Sequence, residues 1–197
     1  MIQIQILSNK TMKSMDWTVD KYQIVAPIPF TSFSQFAGCD PGSVNLGLSK
    51  FINIDDRDIA ILWQIKLTRF DNPVERISLY EIITNEFLSV HNVNIMTIEN
   101  SAYAKGFRQT ELAEQRAIIA HVCMKNNCEV QMIAPNQIRK AVFGSGNIKA
   151  HEEWQLEGIP KSKQPNDALA ALSCAYYGMM KEVVTAYENP TKSKEIG

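Results

Sequence analysis

The chain has 197 residues, 45% of them hydrophobic and 21% charged, with 20 Lys+Arg against 21 Asp+Glu and a formal net charge of −1. A chain this long buries roughly 70% of the surface its unfolded form exposes, so it needs neither disulfides nor a structural metal to fold, and general disorder is excluded. The lack of a basic excess argues against a protein that coats nucleic acid indiscriminately, while leaving room for a local basic surface.

No stretch reaches the 18 or more apolar residues of a spanning helix, and the N-terminus has no basic region followed by an apolar run, so no membrane segment is expected and the expected compartment is the cytoplasm. Cys39, Cys123, Cys128 and Cys174 are scattered without a C-x-x-C pair and read as buried, reduced thiols.

In chain order, residues 1–35 carry no motif, although Ile2, Ile4 and Ile6 alternate with polar residues as a short half-buried strand does. This segment reads as an added strand or arm. The regular pattern starts at Phe36: a strand through Ala37-Gly38-Cys39-Asp40, a turn at Pro41-Gly42, a return strand from Val44 to Phe51, an acidic turn at Asp55 to Asp58, and a third strand from Ile59 to Leu67. Three consecutive extended segments with short connections predict an antiparallel meander. A helix then starts at Asn72-Pro73 and ends near His91-Asn92, with Ile77, Tyr80, Ile83, Phe87 and Leu88 on its apolar stripe.

Val93 to Glu99 is a short β-branched run suited to a central strand. A polar loop from Asn100 to Arg108 leads to a second helix over Thr110 to Lys125, a buried strand over Val130 to Ile133, a short helix over Pro135 to Val142 and a Gly144-Ser145-Gly146 loop. Gln164-Pro165-Asn166-Asp167 opens the last helix, and the final residues, 189–197, read as a tail. Three strands followed by alternating helices and strands predict an α/β fold with an RNase H-like mixed β-sheet flanked by α-helices, carried by residues 36–188.

Three acids stand out by position. Asp40 ends the first strand of the meander, Glu99 ends the central strand, and Asp167 begins the last helix. If those strands are parallel neighbours, the three carboxylates meet at one rim, where they cannot all stay ionised without a cation. Hard oxygen donors of this kind suit Mg²⁺, and a two-metal site performs phosphodiester hydrolysis.

The segment Gly38-Cys39-Asp40-Pro41-Gly42-Ser43-Val44-Asn45-Leu46-Gly47 resembles the D-P-G-S-x-x-x-G opening of RuvC-type Holliday-junction resolvases. The resemblance continues in order through Ile98-Glu99, Ala104-Lys105, Leu112 to Ala117, Ile133-Ala134-Pro135 to Lys140, Gly144-Ser145-Gly146 with Lys149, and Asp167-Ala168-Leu169-Ala170. It implies a homodimeric endonuclease that nicks opposed strands of a four-way junction, with two Mg²⁺ per active site and Mn²⁺ as a substitute. By that resemblance Asp40 bridges both ions, Glu99 and Asp167 hold one each, and Lys149 sits near the scissile phosphate.

Two positions depart from the family pattern. An acid or histidine usually stands three residues before the closing aspartate, and here Gln164 does; it is either a neutral ligand or is replaced by His151, Glu152 or Glu153. An aromatic usually follows the strand-end glutamate by three, and here Ala102 stands there, with Tyr103 and Phe107 as candidates to stack on an unpaired base.

Lys105, Arg108, Arg139, Lys140 and Lys149 are candidate DNA contacts, with Arg116, Lys161 and Lys163 nearby, although Glu111, Glu114 and Glu152 lie among them. Ala113, Ala117 and Ala120 on the second helix suit either a two-fold dimer contact or packing on its own sheet. Three other functions compete: a nuclease on other branched DNA or RNA–DNA hybrid, a module that binds junctions without cutting, and an actin-type or sugar-kinase-type ATPase. The last shares the D-x-G-x-x-N-x-G loop but needs a second domain, for which 197 residues leave no room.

Overall fold

The computed structural model describes residues 1–13, 17–27, 36–42, 44–55, 57–67, 73–100 and 107–188, without the side chains of residues 54, 73, 107–109 and 182–188. The elements in order are β1 (Ile2–Ile4), β2 (Ile6–Lys13), β3 (Trp17–Val25), β4 (Phe36–Pro41), β5 (Asn45–Ile54), β6 (Arg57–Leu67), α1 (Pro73–His91), β7 (Ile95–Glu99), α2 (Phe107–Lys125), β8 (Glu129–Ile133), α3 (Pro135–Phe143), α4 (Ala150–Glu153), β9 (Trp154–Leu156) and α5 (Asn166–Glu188). Seven strands form one mixed sheet in the order β2-β3-β6-β5-β4-β7-β8.

Alternation along the strands divides the core in two. Cys39, Leu46, Leu48, Trp63, Ile65 and Val19 face a layer that includes Tyr80, Ile83 and Phe87 of α1 and Ile119, Val122 and Cys123 of α2. On the other face Tyr22, Ile24, Phe36, Phe51, Ala60 and Leu62 pack with Leu169, Leu172, Ala175 and Tyr176 of α5. The meander β4-β5-β6 is antiparallel and β4-β7-β8 is parallel, so the expected RNase H-like mixed sheet between helices is what the chain adopts.

The structure extends this reading at three places. The N-terminal segment is more than one added strand: β3 pairs with β6 along nine residues, β2 pairs with β3, and the sheet is thereby widened by two strands. Its first three residues leave that sheet and pair in parallel with β9, Ile4 lying beside Leu156. Strand β8 was expected to be buried, yet it is an edge strand covered on one side, and Met132 stays 43% exposed. The four thiols are free and buried. Among the described residues no helix is long and apolar enough to cross a membrane.

Candidate active site

Parallel pairing of β4 with β7 sets Cys39 beside Ile98, so the next residues, Asp40 and Glu99, leave the sheet side by side. Asp40 lies on the α5 face, because Cys39 faces the opposite layer and side chains alternate. Two glycines let α5 lie directly on the strands there. A Cβ at Gly47 would come within 2.0 Å of the Asp167 carbonyl oxygen, and one at Gly38 within 1.9 Å of that of Ala171. The first glycine-bearing motif is therefore a landing surface for the helix that delivers Asp167. Tyr80, fully buried on α1, donates its hydroxyl to the Gly42 carbonyl and holds the turn that follows Asp40.

Gln64 of β6, which faces Gly47 across the strand pair, was not singled out from sequence, yet it clamps this corner. Its Nε2 donates to Asp167 Oδ2 at 2.8 Å, and its Oε1 accepts from the Ala168 N–H at 3.0 Å. The latter is one of the helix-start donors that has no partner within the helix.

The site is electrostatically strained. Burial holds the Asp40 carboxyl well above the usual carboxylate range, the neighbouring Glu99 and Asp167 push it further, and Arg139 opposes them. Glu99 is also raised, by burial first and by Asp167, against the same arginine. Arg139 Nη2 stands 3.8 Å from Glu99 Oε1, so this residue, expected as a DNA contact, is also an ion-pair partner of the acids.

The three acids open into a cleft of about 150 Å³ whose other lining residues include Arg139, Lys149, His151, Asn166 and Ser173. Lys149, exposed, precedes α4, where the Glu152 carboxylate accepts from its backbone N–H at 2.8 Å. Lys140 is exposed on α3 and does not line the cleft.

The choice among candidates for the fourth ligand is narrowed by hydrogen bonding. Gln164 is 8% exposed and both ends of its amide are committed to backbone: Oε1 accepts from the Leu156 N–H at 2.8 Å, and Nε2 donates to the carbonyls of Leu156 and Ile159 at 3.0 and 2.7 Å. Gln164, one of the candidates expected for the fourth ligand, staples β9 and the following turn to the start of α5 through these bonds. Glu152 is occupied in capping Lys149, and Glu153 pairs with the N-terminal ammonium at 3.1 Å. His151 alone of the four lines the cleft.

Among the described residues, no three His, Cys, Asp or Glu side chains converge as one ligand group. The donor chemistry still fits a hard cation, since Glu99 and Asp167 both raise the proton affinity of Asp40, and Asp167 that of Glu99, with one arginine opposing. An ion here would take few protein ligands and complete its shell with water and substrate oxygens, as Mg²⁺ commonly does.

Tyr103 and Lys105 lie outside the described residues, as do the side chains of Phe107 and Arg108 in the first turn of α2. Ala113 and Ala117 stand exposed on the outer side of α2, whereas Ala120 packs against the core.

The chain matches the model of the family described as "Crossover junction endodeoxyribonuclease RuvC" over residues 36–176. A curated relative of that name from Rhodopirellula baltica is 24% identical over 165 residues, covering 79% of this chain and 92% of its own; another, from Mycolicibacterium smegmatis, is 26% identical over 148 residues, covering 70% and 80%. Among solved structures, Thermus thermophilus RuvC superposes with a TM-score of 0.58 at 22% identity, over 74% of this chain and 95% of its own. The same protein in complex with a Holliday junction substrate gives 0.59 at 18% identity, over 74% and 94%. The family match begins at β4 and spans the meander, β7, the three acids and the first half of α5, and the chain belongs to the RuvC family.

Proposed function

We propose that this protein is a divalent-metal-dependent endonuclease that resolves four-way DNA junctions, acting as a homodimer that places paired nicks. The observation that carries this reading is the meeting of Asp40, Glu99 and Asp167, from β4, β7 and α5, at one end of the sheet in a chain of the RuvC family. Further support comes from the family's T. thermophilus member, which has been solved with a Holliday junction substrate.

Asp40, Glu99 and Asp167 would hold the cations, with His151 as the added donor from the cleft wall. Bound Mg²⁺ or Mn²⁺ supplies positive charge that activates an attacking water and stabilises the departing oxygen. Arg139 and Lys149 bring cationic groups to the cleft, where they hold the phosphate and offset the charge that develops on it. Lys140, Lys105 and Arg108 would hold the backbone outside the cleft, and Tyr103 or Phe107 would stack on a base at the crossover. The exposed side of α2 at Ala113 and Ala117 is the proposed dimer contact, and two-fold symmetry matches the two-fold symmetry of the junction.

A synthetic four-way junction, a linear duplex and an RNA–DNA hybrid, each incubated with protein and Mg²⁺, test the reading. Paired nicks confined to the junction are expected. Cleavage of the hybrid in preference, or tight junction binding without nicks, would replace it with one of its rivals.

A further inference from the structure

We propose that Gln64 is a positioning residue for Asp167, an inference that rests on the reading of Asp167 as a catalytic acid. Asp167 sits in the first turn of α5, where the carboxylate can turn toward several neighbours. Gln64 removes that freedom from two sides. Its amide nitrogen holds Oδ2 at 2.8 Å, and its amide oxygen holds the next backbone N–H at 3.0 Å, so side chain and backbone are fixed by one planar group. The remaining oxygen of Asp167 is left for the cleft. β6 is a well-anchored base for this clamp, paired along its length with β3 and β5, and Gly47 between them leaves no side chain in the way.

Gln64→Glu keeps the acceptor for Ala168 but turns the contact with Asp167 into like-charge repulsion; Gln64→Met removes both bonds at similar size. Both variants are expected to lower kcat on the junction about 10- to 100-fold, the scale that follows displacement of a reacting group by about 1 Å. Half-saturation should move to several-fold higher Mg²⁺, with the Kd for junction in chelator unchanged. Melting should be reduced more in Gln64→Met than in Gln64→Glu, since only the former loses the helix-start bond. A merely structural role would leave Gln64→Glu with wild-type kcat and Mg²⁺ dependence, and that result overturns the proposal. A wild-type protein that cuts no junction overturns the functional reading instead.

The sheet register carries a second inference: the strands added by residues 1–25 extend the DNA-binding rim. Pairing runs Asp40–Gly47–Gln64–Asp20–Thr11 across β4, β5, β6, β3 and β2, and the next row out on the same face is Asn45–Lys66–Thr18–Lys13. Lys66 and Lys13 are exposed and form no ion pair with any described residue, and Asp20, the acid of the inner row, accepts from the Thr11 hydroxyl at 2.6 Å. At about 3.3 Å per residue and about 4.8 Å between strands, Lys66 lies roughly 7 Å beyond Gln64 and Lys13 roughly 10 Å further along the edge. That spacing suits successive phosphates of a strand leading away from the acids. Lys13 on β2 lies outside the family match and Lys66 on β6 within it, so the track joins the added strands to the matched domain.

Lys66 and Lys13 are inferred to contact the phosphates of one junction arm, which again rests on the proposed substrate. Binding of a synthetic four-way junction in chelator is measured across salt concentrations. Lys13→Ala and Lys66→Ala should each lower the slope of log K against log[salt] by about one. Lys10→Ala, three positions from Lys13 on β2 and on the opposite face, should leave the slope unchanged. Unchanged slopes in Lys13→Ala and Lys66→Ala, or an equal fall in Lys10→Ala, overturn the track. Failure of the wild type to bind the junction rejects the substrate itself.

Discussion

The two ends of the central sheet treat buried charge in opposite ways. At the far end Lys50 is 4% exposed on β5, and its ammonium donates to the carbonyls of His91 and, at 3.0 Å, Asn92. Those carbonyls are the orphan acceptors where α1 ends, so one buried cation sits at the negative end of a helix dipole. His91 packs edge-on against Trp63 and Phe87 with centroids 5.5 and 4.8 Å away, and burial together with Lys50 and Lys21 lowers its pKa to about 4. At the acidic end Asp40, Glu99 and Asp167 line one cleft, and among the described residues Arg139, 3.8 Å from Glu99, is the one cation in ion-pair reach of them. In the first arrangement the folded chain itself supplies the acceptors of the Lys50 ammonium, while His91 Nε2 is buried without a hydrogen-bond partner among the described residues. In the second, the acids outnumber the cations beside them, which is the charge imbalance that the proposed metal ions would offset.

The largest expected effect breaks the comparison at its catalytic end. Asp40→Asn or Glu99→Gln should lower junction nicking by at least about 10³-fold, a loss near 4 kcal/mol of transition-state stabilisation, while junction binding persists. The metal-free Asp40→Asn protein should also melt above the wild type, by a few degrees, because the substitution removes a strained charge. Undiminished nicking would remove Asp40 from the site.

Gly47→Ala comes next. Its new Cβ cannot coexist with the Asp167 carbonyl, so α5 must shift, at a cost of about 3 kcal/mol, or roughly 6–12 °C in melting temperature for a chain of this size. Activity should fall together with stability, since the displaced segment carries Asp167. Calorimetry and nicking on one preparation check both.

Lys50→Met tests the other end. Removing a buried charged donor from two carbonyls should cost about 2 kcal/mol and lower melting by roughly 4–8 °C. Nicking below the transition should be retained, since Lys50 stands three residues along β5 from Gly47, on the opposite face of the sheet, and pairs with Ala37 near the start of β4. A loss of nicking without loss of stability would erase the distinction between the two ends.

The end that carries the three acids was the more legible of the two in sequence. A strand that stops at Asp40, another that stops at Glu99, and a helix opened by Pro165 and Asn166 before Asp167 are local patterns, and local patterns survive into the fold. Gln64 was hidden because a polar residue in an alternating strand reads as an ordinary outward position, and only the register with Gly47 brings it to Asp167. The backbone bonds of Gln164 were hidden for a related reason: Leu156 belongs to a short strand whose pairing with β1 spans most of the chain, and Ile159 to the turn that follows it. Lys50 likewise reads as a surface lysine until α1 ends above it. Contacts between distant segments, not propensities, decide all three.

A pH scan of the metal-free protein sharpens the contrast by setting the ends against each other. The folded Asp40 and Glu99 bind protons more tightly than the unfolded chain does, so protonation favours folding. Their strain is absent below their unfolded values and grows as pH rises through the higher folded ones. His91 acts in the reverse sense: its folded pKa near 4 lies below the unfolded 6.5, so its contribution is present above pH 6.5 and is lost as pH falls toward 4. Acidification from pH 7 should therefore relieve one end while loading the other. In Asp40→Asn the relieving limb should shrink, leaving a steeper fall in melting temperature below pH 6.5 than in the wild type; in His91→Phe the falling limb should shrink instead. Added Mg²⁺ should raise the wild-type melting temperature at pH 7 more than that of Asp40→Asn, because a cation and a proton relieve the same repulsion. Identical pH profiles in the two variants would mean that the charge strain is not divided between the ends of the sheet.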